Sequence, residues 1–453
     1  MSMSAVSEQA PSGLRRSLGV RDLMVYGLLF IAPMAPVGVF GVLDAKSHGA
    51  LASVYLAATV AMGLTAFSYA QMVRAVPQTG SVYAYARAGL GEGPGFIAGW
   101  MAMLDYLLIP AVAYLFSGIA LHSLVPDVPR WLWTALAVVV TTVLNLIGVR
   151  TAAAVGFAVL TLEIAVLAVF VTAAVVTLAQ DGARRGWDTP FTAVGDFSLT
   201  AVISAVSVAV LSYLGFDAIA TFVEEAVGAS AAVAKALLWC LALAGVLFVA
   251  QTYLAALLEP MTPQQLAADP AAQGSAFYDT VESGVGHWLH VLVAAGKAIG
   301  AAFAALAGQA AAGRLVFAMG RDGRLPRVLG SVDPGSAVPR RALLAAAAVT
   351  MAAAVWAADR DDGLEQLTSV VNVGALTAFV LLHASVIGWY TVRHGSRDRL
   401  RHLVVPVLGI AVIGAVVHEA STTAQIVGLA WLAVGLMVFG VQGGTASGVD
   451  GRR

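Results

Sequence analysis

Long apolar stretches alternate with short polar segments along almost the whole chain, and twelve of the stretches are long enough to cross a bilayer as helices. They cover roughly 22–43, 50–72, 94–124, 130–149, 152–179, 198–225, 231–258, 287–318, 341–358, 364–391, 403–418 and 423–441. A membrane β-barrel would show short pieces of alternating polarity instead, so helices are the spanning structure. The pattern predicts an all-α integral membrane protein: one twelve-helix domain over 21–441, between polar tails at 1–20 and 442–453. Two connections carry enough pattern to be structured themselves. GSVYAYARAGLGEG (80–93) predicts an amphipathic helix, and TPQQLAADPAAQGSAFYDTVES (262–283) a cap over the opposite side.

The helical pattern is interrupted in two places. IAPMAPVGVFG (31–41) holds Pro33 and Pro36, which lack an N–H, and Gly38 and Gly41, which loosen a helix. A break over 32–38 would present the backbone of Ala32, Pro33, Met34, Ala35 and Gly38. In the sixth span, YLGFDA (213–218) places Gly215 beside Asp217. These two spans lead five-helix halves at about 21–179 and 198–391, which begin on opposite sides and are therefore inverted; helices within 403–441 are peripheral. Interrupted helices at matching positions of an inverted repeat mark a central substrate site in secondary transporters. The competing reading is an ordinary kink, because Pro and Gly are common in membrane helices.

Composition agrees with this pattern: 59% of residues are hydrophobic, 11% are charged, and the mean hydropathy is +0.85. A net charge of −1, with basic residues spread through loops rather than gathered in a patch, gives no sign of nucleic-acid binding, and no nucleic-acid partner is expected. With the N-terminus inside, inner segments hold nineteen of the 25 Lys and Arg residues, outer loops five, and Lys297 lies within a span. That bias predicts that both termini are cytoplasmic. The polar start, with Arg15 and Arg16, has no small-residue cleavage site after it, so no removable signal peptide is expected. Cys240 is the single cysteine, which rules out an intrachain disulfide and a cysteine-based metal cage. No P-loop pattern, HExxH or paired-histidine cluster stands out, so neither an enzyme nor a cofactor or metal is expected.

Three acids fall deep inside the bundle: Asp105, Glu163 and Asp217. At about 1.5 Å rise per residue, the first two lie ~16 Å from the inner ends of their helices and Asp217 ~12 Å. A negative centre suits a cationic substrate or a proton; each acid could instead hydrogen-bond a neighbouring helix. Tyr106 accompanies Asp105, while Tyr213 and Phe216 could wall a cation or simply pack. On an α-helix, Asp217, Thr221 and Glu224 share a face, making Thr221, Glu224 and Glu225 an inner-gate candidate, against a surface salt bridge with Lys235. Lys297 could snorkel or meet an external acid.

Three segments together resemble the amino acid-polyamine-organocation permeases: GFDAIATFVEEA (215–226), VPQTGSVYAYAR (76–87) and RLVFAMGRDGRLPRVLGSVDP (314–334). Within that superfamily, MLDYLLIPAVAY (103–114) and VPDVPRWLW (125–133) look most like bacterial putrescine importers. The resemblance implies a five-plus-five inverted repeat and alternating access. It places Glu163 where relatives carry a lysine, glutamate or glutamine, which makes Glu163 a proton-coupling candidate against a buried interhelical hydrogen bond, and it implies an acid near the sixth-span break, here Asp217, that responds to protonation or substrate. Amino acid carriers of this superfamily usually place a Gly-Ser-Gly-like stretch in the first span, whose amides hold the substrate carboxylate. Here APMAPVG (32–38) stands instead, which favours an amine. The expected function is proton-coupled or exchange-driven import of putrescine-like polyamines or amino acids, with a zwitterionic amino acid carrier as the alternative. A channel or a non-transporting sensor is the reading from a different class. The partners implied are a small-molecule substrate, protons or a counter-substrate, and the lipid bilayer.

Overall fold

The computed structural model describes residues 18–77, 81–147, 152–223, 226–321, 326–331 and 339–449. Among them all regular structure is helical apart from one bridge pairing Leu18 with Ala226. Twelve segments are long and apolar enough to span a membrane: Val20–Gly38, Leu51–Ala75, Glu92–Leu124, Arg130–Ile147, Gly156–Asp181, Leu199–Phe222, Ser230–Leu258, His287–Gly313, Arg340–Ala358, Gly363–Arg393, Leu400–His418 and Thr422–Gly440. They follow the apolar runs because a backbone in hydrocarbon must satisfy its own hydrogen bonds, which a continuous apolar run achieves as a helix. The last helix continues to Val449, into the stretch expected to be tail.

Enclosure differs among the spans and shows which face lipid. The sixth and tenth are the most enclosed, whereas the fourth and twelfth turn residues such as Val140, Ile147, Leu429 and Met437 outward. The third span runs between the eighth and the tenth, and the second packs along the seventh. The first span meets the seventh and the second half of the sixth, so both interrupted helices sit inside the bundle.

Both structured connections are present. Ser81–Leu90 forms a helix against the third and tenth spans. The cap comprises Pro263–Ala268, Pro270–Gln273 and Ala276–Gly284, the first started by a reciprocal Thr262–Gln265 capping box. On the same face the second half of the first span is held firmly. Asp44, fully buried, accepts both guanidinium nitrogens of Arg185 at 2.8 and 2.7 Å, and Arg185 also donates to the Met261 carbonyl. The bidentate geometry compensates the removal of both charges from water.

Candidate functional site

The first helix, Val20–Ile31, stops at Ala32, whose φ of 59° breaks the helical path. Ala35–Gly38 forms a tight 3₁₀ turn, and the helix resumes at Phe40–Lys46. A break inside a bundle leaves backbone carbonyls that water cannot reach, and side chains from neighbouring spans take them. Gln251 of the seventh span donates to Pro33 O at 3.0 Å, and Lys297 of the eighth donates to Met34 O at 3.0 Å. The N–H groups of Ala35, Val37 and Val39 turn back onto the carbonyls of Ala32, Met34 and Pro36. Gly38 leaves room for the Phe116 ring, which also lies 4.8 Å from the Lys297 ammonium.

The sixth span breaks where YLGFDA is expected to break it. Leu199–Ala209 tightens into a 3₁₀ turn at Val210–Tyr213, Leu214 is extended, and Gly215 adopts φ 102°. That left-handed backbone favours glycine. A side chain there would also meet a neighbour, since a Cβ on Gly215 would lie 2.9 Å from the carbonyl oxygen of Phe30. The two interrupted helices thus touch. Asn372 of the tenth span secures the sixth just before its break by donating to Ser207 O at 2.6 Å.

The central acids form two groups. Asp217 accepts the Tyr69 hydroxyl at 3.2 Å, and its charge reaches Asp105, Tyr106 and Tyr85. Asp105 Oδ1 is buried with no hydrogen-bond partner among the described residues, and so is the Tyr85 hydroxyl. Glu163 belongs to the other group. It is buried, its Oε1 is also unpartnered among the described residues, and its charge bears on Lys297. Gly300, one turn along from Lys297, leaves the space that the Glu163 carboxyl fills.

Several expectations change. Lys297 neither snorkels nor pairs outside: it is 2% exposed and committed to the first-span break. Tyr213 does not stand beside Phe216 as a common wall. Its hydroxyl meets Thr59 at 2.6 Å and its ring packs 4.9 Å from Phe248, facing the second and seventh spans. Phe216 instead joins Tyr69 and Phe379, at 5.7 and 6.1 Å, in an aromatic cluster beside Asp217. The segment Phe216–Phe222 is 3₁₀ rather than α, so three residues per turn align Asp217 with Ala220 and Val223, not with Thr221. Thr221 donates to its own Ala218 carbonyl at 2.6 Å. Glu224 and Glu225, like 1–17 and 450–453 of the expected tails, lie outside the described residues. Paired histidines do exist, at His287 and His290 near Glu282.

Sequence reasoning missed Tyr69, Tyr85, Gln251, Asn372 and Phe379. Gln251 and Asn372 carried a signal, as amides inside apolar runs, and Tyr85 lies inside the motif at 76–87.

Two interrupted helices meeting inside a twelve-span bundle, lined by buried acids, define a multi-pass membrane transporter and not an enzyme. The amino acid permease family model matches residues 23–445, and the chain belongs to that family. It is 28% identical to the low-affinity putrescine importer of Escherichia coli over 94% of this chain and 93% of that protein. It is 26% identical to the branched-chain amino acid permease of Bacillus subtilis, over 94% and 92% of the two chains. An uncharacterized transporter of Mycobacterium bovis is 31% identical over 95% of this chain and 92% of its own.

Proposed function

We propose that the chain imports a small organic dication of the putrescine type across the inner membrane by alternating access, driven by protons. The observation that carries this reading is the buried, unpartnered Asp105 Oδ1 beside the Asp217 charge. Buried polar atoms are nearly always paired, and a substrate ammonium would supply the partner. Lys297, the buried base of the eighth span, is already used at Met34. The aromatic faces of Tyr69, Phe216 and Phe379 suit a cation. At the break over 32–38, Pro33 and Pro36 have no N–H and the N–H groups of Ala35, Val37 and Val39 are spent on the turn itself, which disfavours a carboxylate. The similarity to a putrescine importer points the same way.

Glu163 and Asp217 are the proposed proton carriers, Glu163 because its carboxyl and the Lys297 ammonium are buried together beside the first break. Alternating access has an outer contact to work with. Lys46, ending the second half of the first span, pairs with Glu365 of the tenth at 2.6 Å. Glu365 also lines a cavity of about 140 Å³, together with Arg130 and Asp361. The proposal includes inverted halves at about 21–179 and 198–391, and cytoplasmic termini. A second reading, a zwitterionic amino acid carrier, draws on the Lys297 ammonium, which could meet a carboxylate if it left Met34.

The test is counterflow of labelled putrescine in proteoliposomes. Saturable counterflow, uptake driven by acid outside in sodium-free buffer, and weak competition by neutral amino acids are expected. Strict sodium dependence would remove the proton coupling, and stronger counterflow with a neutral amino acid would favour the second reading.

A further inference from the structure

On the face opposite the start of the first span, the last cap helix, Ala276–Gly284, turns through Gly286 into the helix that begins at His287. The spacing HWLH (287–290) puts two imidazoles on one side of that first turn, because residues three apart on a helix are neighbours. Both face a single carboxylate. His287 Nδ1 lies 3.1 Å from Glu282 Oε1, and His290 Nδ1 lies 2.6 Å from Glu282 Oε2. The ligating atoms of the three residues fall within 4.8 Å of one another. Two histidines and a carboxylate from two elements thus converge on one point outside the central site.

We propose that Glu282, His287 and His290 bind one transition-metal ion, Zn²⁺ in the first instance, which fastens the cap to the outer end of the eighth span. A tetrahedral zinc centre with bonds of about 2.0–2.1 Å has ligand-to-ligand edges of roughly 3.3 Å, so the two imidazole–carboxylate contacts would open slightly and any wider separation, within 4.8 Å, would close around the ion. Two histidines and a glutamate are an established zinc donor set that leaves the fourth position to water. The outer partners fit as well. His290 is 4% exposed, and its other nitrogen, Nε2, lies 3.2 Å from Ser123 Oγ at the end of the third span, which fixes the ring so that Nδ1 faces the site. Asp279, one turn before Glu282, adds negative charge that bears on His290 and Glu282. Imidazole and carboxylate oxygen together favour zinc or a neighbouring transition metal over magnesium or calcium.

The experiment uses untagged full-length protein in detergent, stripped with chelator and then equilibrated with buffered zinc. Metal content and melting temperature are measured with and without zinc. One zinc per chain at pH 7.5 and a raised melting temperature are expected. His287→Ala removes an exposed side chain and should melt like wild type without metal, yet bind zinc at least tenfold more weakly. Glu282→Gln should do the same. Equal zinc binding by wild type and His287→Ala, or no zinc at all on wild type, would overturn the site and leave a clasp of hydrogen bonds only. Equal binding of magnesium or calcium would overturn the transition-metal assignment.

Discussion

Lys297 Nζ donates to the carbonyl of Met34 at 3.0 Å, so the ammonium of the eighth span fills the place where the first helix is broken. Glu163 stands near enough to act on that charge. Lys297→Met should therefore leave the Met34 carbonyl and the Glu163 carboxyl without a counterpart. Removing one partner of a buried pair costs about 3–5 kcal/mol, so a marked fall in melting temperature is expected. Proton-driven uptake should stop. Adding Glu163→Leu should recover most of the melting temperature but none of the uptake. If the double variant melts no better than Lys297→Met, the two charges are not linked.

Asp105→Asn keeps the side-chain shape and removes its charge. If an ammonium sits on that oxygen, putrescine binding should weaken by about 2–5 kcal/mol, or roughly 30-fold or more. Binding of neutral amino acids should change little. Calorimetry on well-folded wild type and variant decides it, and unchanged putrescine affinity would move the proposed anchor to Asp217. Tyr69→Phe, which deletes one hydroxyl donor to Asp217, should have a smaller effect of the same sign.

Gly215→Ala tests the contact between the two breaks. Alanine is strained at φ 102°, and its methyl would meet the Phe30 carbonyl oxygen at 2.9 Å. The backbone cannot retreat without moving one interrupted helix away from the other. Reduced thermal stability together with loss of uptake is expected. Gly395→Ala is the control for positive φ alone, because it has φ 58° with open space around it and should transport normally.

Glu259 lies just beyond the seventh span and is 2% exposed, accepting the Thr280 hydroxyl and, at 2.9 Å, the Met261 N–H. Burial is the main cause that pushes its carboxyl from 4.5 up to about 7. A raised folded-state value means that folding favours the protonated form. Its stabilising contribution is present in full below about pH 4.5 and lost as pH rises through about 7. Glu259→Gln should flatten the melting temperature of the protein across that window and raise it at pH 8. A wild-type profile already flat between pH 4.5 and 8 would refute this.

The sequence by itself determined the number and order of the spans, both broken helices and the three deep acids. Those properties are local, since hydropathy adds up along a run and Pro33, Pro36 and Gly215 act on their own backbone. Partner choice was not local. Lys297 and Met34 are separated by 263 positions, and Tyr69 and Asp217 by 148. Which side chain reaches which carbonyl depends on how each helix is rotated and where it crosses its neighbours. The tightening of Phe216–Phe222 to 3₁₀ likewise changed which residues share a face with Asp217, and the left-handed turn at Gly215 sets the start of that segment against Phe30 of the first span. Tertiary structure alone therefore decided that Lys297 turns inward, that Tyr213 faces away from Phe216, and that Glu282 meets both His287 and His290.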